Sequence, residues 1–241
     1  MGGAELVEDE DRRVLFLQHQ DDGGPGYLGD RARELGCTVE VAHLDRGARP
    51  GDPGRYAMVV SLGYDGSVLD TAPDHIAHER AFVEDAVAAD VPVLGVCFGA
   101  QLLASVLGAR VHRMDRPEIG WLPVETTEPG IIAPGPWLVW HLDAFACPPG
   151  ADLLASTDVA VQAFRRGPHL GVQFHPEATP ESARAWADKY EDPLARAGVD
   201  RADLLAETER RRPWSREQAA VLFDRMVNGV SRHDSGTTLG S

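Results

Sequence analysis

The sequence predicts an α/β fold: a mainly parallel sheet flanked by helices, with a small antiparallel layer and a C-terminal helical extension. Three observations carry this. Short apolar runs alternate with helical patterns in the N-terminal half, as β-α-β units require. After Gly108 come short strand patterns separated by Pro/Gly turns. From Pro180 onward the pattern is helical.

Val14–Leu17, Thr38–Ala42, Tyr56–Ser61 and Val91–Val96 read as strands buried on both faces, each a short and largely apolar run. A helix is expected to end at Gly36. Another spans about Asp74 to Ala88, with Ile76, Val83 and Val87 on one face. A third starts just after Phe98. Strand candidates follow at Val111–His112, Trp121–Glu125, Trp137–Trp140, Val159–Phe164 and Leu170–Phe174. Three helices are expected near 180–190, 202–210 and 215–228. Residues 1–12 read as a flexible acidic N-terminus, 13–232 as one domain and 233–241 as a flexible tail.

Composition narrows the function classes. The chain has 241 residues, 43% of them hydrophobic and 25% charged, and a formal net charge of −15. An acidic surface disfavours binding to nucleic acid or to an anionic membrane. No apolar run reaches the roughly 20 residues of a membrane span, and the acidic N-terminus lacks the pattern of a secretory signal. A cytoplasmic location is expected. Three cysteines without close spacing fit neither a disulfide framework nor a zinc cluster.

The segment Gly95-Val96-Cys97-Phe98-Gly99 places a cysteine between two glycines, where an apolar strand runs into the helix-forming AQLLASVL. This is the arrangement of a nucleophile elbow. The glycines permit a sharp reversal, and the helix N-terminus directs free N–H groups at the sulfur, which favours thiolate. The N–H of Phe98 is placed to bond an oxyanion. Cys37 and Cys147 lack that frame and read as core cysteines.

A cysteine hydrolase also needs a base. Among nine histidines, His175 stands out in Leu170-Gly-Val-Gln-Phe-His175-Pro-Glu177, at the end of a short strand. Residues two apart in extended chain project to the same side, so Glu177 is placed to orient the imidazole. His75 and His78 read as solvated, and His19, His43, His112, His169 and His233 as surface or satisfied positions. His141, within Trp140-His141-Leu142-Asp143, is a site candidate.

Together, GVCFGAQ at 95–101 and GVQFHPE at 171–177 resemble the class I, triad-type glutamine amidotransferases, most closely stand-alone members similar to the glutaminase part of GMP synthase. Glu118-Ile-Gly-Trp-Leu-Pro123, Trp140-His-Leu-Asp143 and the Pro-Pro-Gly-Ala at 148–151 extend the match. The resemblance implies a flavodoxin-like sheet, a Cys97–His175–Glu177 triad and a glutamyl thioester, with neither cofactor nor metal. It assigns substrate binding to Gly63, Gln101, Trp140 and His141, and the oxyanion hole to the N–H groups of Phe98 and Tyr64.

In one place the sequence departs from the family. The usual Gly-Gly-Pro loop is here Gly63-Tyr64-Asp65, followed by Gly66-Ser67-Val68. Tyr64 keeps the N–H but adds a bulky ring. Three functions follow from these readings. The first is a glutaminase that releases ammonia for a separate synthase. The second is a free-standing γ-glutamyl hydrolase acting on a peptide or conjugated amine, which the altered loop suits. The third is a non-catalytic binding module, which an intact triad argues against.

Overall fold

The computed structural model describes residues 12–70 and 74–230. The expected tails at 1–12 and 233–241 therefore lie outside the described residues, apart from Arg12. Five strands form the parallel part of the main sheet: β1 (Arg13–Gln18), β2 (Thr38–His43), β3 (Met58–Ser61), β4 (Val93–Val96) and β10 (His169–Val172). They lie in the order β2-β1-β3-β4-β10. Beyond β10 the sheet continues antiparallel through β9 (Val161–Arg166), β8 (Asp152–Ser156) and β6 (Glu125–Thr126). A separate antiparallel pair, β5 (Val111–Leu122) and β7 (Trp137–Phe145), stands beside it.

The central strands are apolar on both faces because helices cover both. Val14 and Phe16 of β1 and Met58 and Val60 of β3 point into one core, with α1 (Gly26–Glu34) and α6 (Arg201–Val230). Leu15, Leu17 and Val59 point into the other, with α2 (Asp74–Ala88) and α3 (Phe98–Val106). A third cluster joins Ile119, Leu138 and Trp140 of the β5–β7 pair to Ala183 and Trp186 of α4 (Pro180–Lys189) and Leu194 of α5 (Glu191–Ala197).

The structure corrects several sequence boundaries. The two segments expected at Val111–His112 and Trp121–Glu125 are divided differently. Val111 to Leu122 is one strand, irregular between Arg113 and Glu118, and Glu125–Thr126 joins the main sheet instead. The polar stretch His112–Arg116 shows no alternation; β7 pairs with His112 and Arg113 before the irregularity and with Glu118–Leu122 after it, and so carries the strand across. β8 and α5 were not anticipated.

The helices expected at 202–210 and 215–228 are one 30-residue helix that runs through Pro213. A proline there removes one helical hydrogen bond and crowds the preceding turn. Leu204 and Thr208 before it, and Ala219, Leu222 and Phe223 after it, are all buried. Packing on both sides carries the axis across the break. His75, read as solvated, is half-buried against the rings of His19 and Tyr64.

Two contacts fix α1 against the rest. Arg31 binds Asp224 of α6 through paired 2.7 Å hydrogen bonds. At its start, the Tyr27 N–H donates 3.0 Å to the carbonyl of Glu177, just past β10. Gly26 has φ +45°, and a Cβ there would lie 1.9 Å from that oxygen, so only glycine permits this approach.

Trp137 anchors the far end of β10. Its ring is 2% exposed, stacks on Phe174 at 4.2 Å and meets Trp214 of α6 edge-on at 5.0 Å. Its indole N–H donates to Ala133 at 2.8 Å. Trp137→Ala is expected to lower the free energy of unfolding by about 3–5 kcal/mol, read as a shift of the urea midpoint.

Candidate active site

β4 ends at Val96 and α3 begins at Phe98, leaving Cys97 alone to turn the chain. It does so at φ 52°, ψ −106°, a strained conformation for a residue with a side chain. The flanking glycines take no positive φ themselves. They are needed for close approach: a Cβ on Gly95 would lie 2.5 Å from the Gly99 carbonyl oxygen, and one on Gly99 only 2.1 Å from that of Ser61. The first turn of α3 thus presses against the strand ends, and its unpaired N–H groups open beside Cys97. A 2.8 Å bond from Cys97 N–H to the Val172 carbonyl ties the elbow to β10.

β10 leads into His175. Its backbone N–H donates 2.8 Å to Leu138 of β7. Its Nδ1 lies 2.7 Å from Glu177 Oε1, and its Nε2 lies 3.3 Å from the Trp140 carbonyl oxygen. The Cys97 Sγ is 3.6 Å from that same oxygen. The structure therefore brings Cys97, His175 and Glu177 together, all three buried. Burial disfavours a charged imidazole. Glu177 and the hydrogen-bonded Cys97 outweigh it, and hold His175 well above the usual histidine range.

The pocket over Cys97 takes in Gly63, Tyr64, Gln101, Trp140, His141, His175 and Glu177. At Gly63 a Cβ would lie 3.2 Å from the His175 ring, so the loop passes close. The Tyr64 ring packs on Phe98 at 5.4 Å and on His19 at 5.2 Å, in the sheet face opposite α1. Gln101 is buried, with Nε2 donating to the Asp143 carbonyl at 3.1 Å. Both nitrogens of His141 are engaged, Nδ1 with the Asp143 carbonyl and Nε2 with Glu118, each at 2.9 Å. That leaves its ring no nitrogen for a substrate. Trp140 directs its carbonyl toward His175 and Cys97 and its ring toward Trp186, 5.9 Å away.

Several neighbours of the site were not anticipated. Arg113, from the irregular part of β5, lines the pocket with Nε 3.0 Å from Asp143 Oδ1. Asp143 is fixed in turn by the Ser67 hydroxyl. Trp186 of α4 lies 4.7 Å from the His175 ring, and Tyr190 closes the rim. Behind the elbow, Glu79 of α2 is fully buried between His19 at 2.6 Å and Ser61 at 2.7 Å, under the carbonyl that limits Gly99. No short motif marks Arg113, Glu79, Trp186 or Tyr190, which come from β5, α2 and the end of α4. Cys37 and Cys147 are partly buried, and burial pushes both thiols up. Among the described residues no group of three or more His, Cys, Asp or Glu side chains is placed to hold a metal ion. None of the described helices is long and apolar enough to cross a membrane.

The chain has counterparts among known proteins. The family model for glutamine amidotransferase class-I matches residues 27–187. A GMP synthase [glutamine-hydrolyzing] of Aeropyrum pernix is 40% identical over 159 residues, covering 62% of this chain and 30% of that protein. One from Alkalilimnicola ehrlichii is 34% identical over 197 residues, covering 71% and 35% respectively. The chain therefore spans about a third of the length of these curated relatives. Among solved structures, a glutamine amidotransferase from Thermotoga maritima superposes with a TM-score of 0.81 at 29% identity, covering 89% of this chain and 97% of that one. One from Methylobacillus flagellatus gives 0.82 at 26%, covering 90% and 95%. With the family model spanning the elbow, the histidine strand end and the loop between them, the chain belongs to the class-I glutamine amidotransferase family.

Proposed function

We propose that this chain is a glutaminase that hydrolyses the γ-amide of glutamine and releases ammonia for a separate acceptor or synthase. One observation carries the reading: Cys97 and His175 converge on the Trp140 carbonyl, with Glu177 behind the imidazole, at the floor of a pocket.

Cys97 thiolate attacks the γ-carbonyl carbon. The oxyanion is met by the N–H groups of Phe98 and Tyr64, donors that belong to the backbone and need no reorganisation. The His175 imidazolium gives its proton to the departing nitrogen, so the C–N bond breaks to release ammonia and leave a glutamyl thioester. The neutral imidazole then takes a proton from water, the resulting hydroxide attacks the thioester, and glutamate leaves as the thiolate is restored. Glu177 keeps the imidazole oriented and favours its charged form. The substrate's α-carboxylate is assigned to Arg113: Asp143 engages Nε, and the two terminal nitrogens serve as a fork. Gln101 spends its amide nitrogen on the protein and offers its oxygen to the α-ammonium. Docking of the Tyr64 ring on Phe98 favours glutamine over a conjugate that would need that ring as a stacking surface.

Glutamate release from glutamine by the purified chain, abolished in Cys97→Ala with the fold retained, tests this reading. γ-Glutamyl conjugates turned over faster than glutamine would replace it with the γ-glutamyl hydrolase. No release from either substrate class would remove the catalytic reading.

The raised His175 pKa sets a pH signature. The imidazolium is the general acid, present below its pKa and lost as pH rises through it. The basic limb of kcat/KM should therefore lie well above the ordinary histidine range. Glu177→Gln removes the opposing charge, so that limb should move to lower pH, and kcat should fall on the order of 10²–10⁴-fold without vanishing. Arg113→Gln should raise KM for glutamine about tenfold while leaving kcat within a factor of about two, since a half-exposed charge contributes binding more than chemistry.

A further inference from the structure

The altered loop is not loose. Tyr64 and Asp65 stand where the family has Gly and Pro, yet Asp65 is held from three directions. Its carboxylate lies 3.0 Å from the ammonium of Lys189 and accepts a 2.9 Å hydrogen bond from the Tyr190 hydroxyl. Its backbone N–H donates to Gln20 Oε1 at 3.3 Å. Lys189 is the only lysine in the sequence and ends α4; it also lies 3.8 Å from Asp22 and 5.0 Å from the Tyr190 ring centre. The Asp22 carbonyl accepts from the Trp186 indole at 2.9 Å. Burial and the Asp65 carboxylate, against the opposing effect of Lys189, push the Tyr190 hydroxyl up to about 12, which keeps it a donor at neutral pH.

The position of this cluster defines what it bounds. His175 protonates the leaving nitrogen, so the leaving group departs on the imidazole's side. Trp186 lies 4.7 Å from the His175 ring, and Tyr190 and Asp65 line the same pocket. The amino-acid end of the substrate points the other way, toward Gln101 and Arg113. We propose that Asp65, Lys189 and Tyr190 form a rim clasp that fixes the leaving-group wall of the pocket and restricts hydrolysis to γ-amides with a small leaving group. The clasp replaces the rigidity of the family's proline with an ion pair and a hydrogen bond across two elements. It acts as a positioning and specificity device, and its role in turnover rests on the glutaminase reading.

The test is a double-mutant cycle on the whole chain: Asp65→Asn, Lys189→Met, the combined variant, and Tyr190→Phe. Two readouts are taken: kcat/KM for a γ-glutamyl anilide relative to glutamine, and the rate of alkylation at Cys97, mapped by mass, with iodoacetamide relative to N-phenylmaleimide. Opening the clasp should raise the anilide-to-glutamine ratio about fivefold in each single variant. The double variant should go no further, because one device is lost only once. The bulky maleimide should gain by a similar factor on iodoacetamide, and 1 M salt should reproduce part of the gain in wild type by screening the ion pair. Ratios unchanged in both readouts, or additive effects of the two charge removals, would overturn the clasp. If wild type hydrolyses neither substrate, the glutaminase reading fails, and the alkylation ratios still decide the clasp.

Discussion

Everything in this site depends on how closely the first turn of α3 can approach the ends of the strands beneath it. A Cβ on Gly99 would fall 2.1 Å from the Ser61 carbonyl oxygen, and one on Gly95 would strike the Gly99 carbonyl. With both side chains absent, the helix seats directly after β4, and the turn is compressed into one residue. That residue, Cys97, accepts a positive φ that an unconstrained side chain avoids. The cost of order 1–3 kcal/mol for such strain is offset by packing on both faces of the sheet. In return Cys97 lines the pocket, beside N–H groups that have no partner in their own helix.

The second requirement is a histidine whose charge survives burial. The His175 ring lies in a nearly dry position, where an isolated imidazolium would lose its proton. Glu177 on one nitrogen and Cys97 near the other reverse that preference. Such an arrangement tolerates little movement, and the fold supplies supports on several sides. The Leu138 carbonyl holds the His175 backbone, the α1 N-terminus holds the Glu177 carbonyl, and the Trp186 ring flanks the imidazole. Gly26 is part of the same support, since its missing side chain lets α1 reach Glu177.

Two of the histidines buried at or beneath the pocket are tied to a glutamate in networks that do not include Cys97. His141 is committed to Glu118 and to the Asp143 carbonyl, and Gln162 donates to the same Glu118 at 2.8 Å. His19 and Glu79 form an equivalent unit beneath the elbow. Each network gives its buried glutamate hydrogen-bond partners, without which the carboxylate would be costly in a low-dielectric interior. His175 differs in that the Trp140 carbonyl oxygen near its Nε2 also lies 3.6 Å from the Cys97 sulfur.

The local signals in the sequence were sufficient for the parallel β-α-β core, the elbow at Cys97 and the His175–Glu177 pair. Each is a short-range pattern: an apolar run, a glycine frame, two residues on one side of an extended chain. The limits of that reading are equally local. Val111–Leu122 is a single strand because β7 pairs with it, and α6 continues through Pro213 because the core holds both halves. Arg113, Trp186, Lys189 and Glu79 carry no motif, and long-range packing alone brings them to the pocket or beneath it. The same holds for Asp65. Sequence marked it as a departure from the expected loop, but the partners of its carboxylate lie over a hundred residues away, at the end of a helix. Side-chain chemistry and spacing picked out Cys97, His175 and Glu177 as candidates; the tertiary fold decided what surrounds them, because hydrogen bonds and packing act through distance in space and not along the chain.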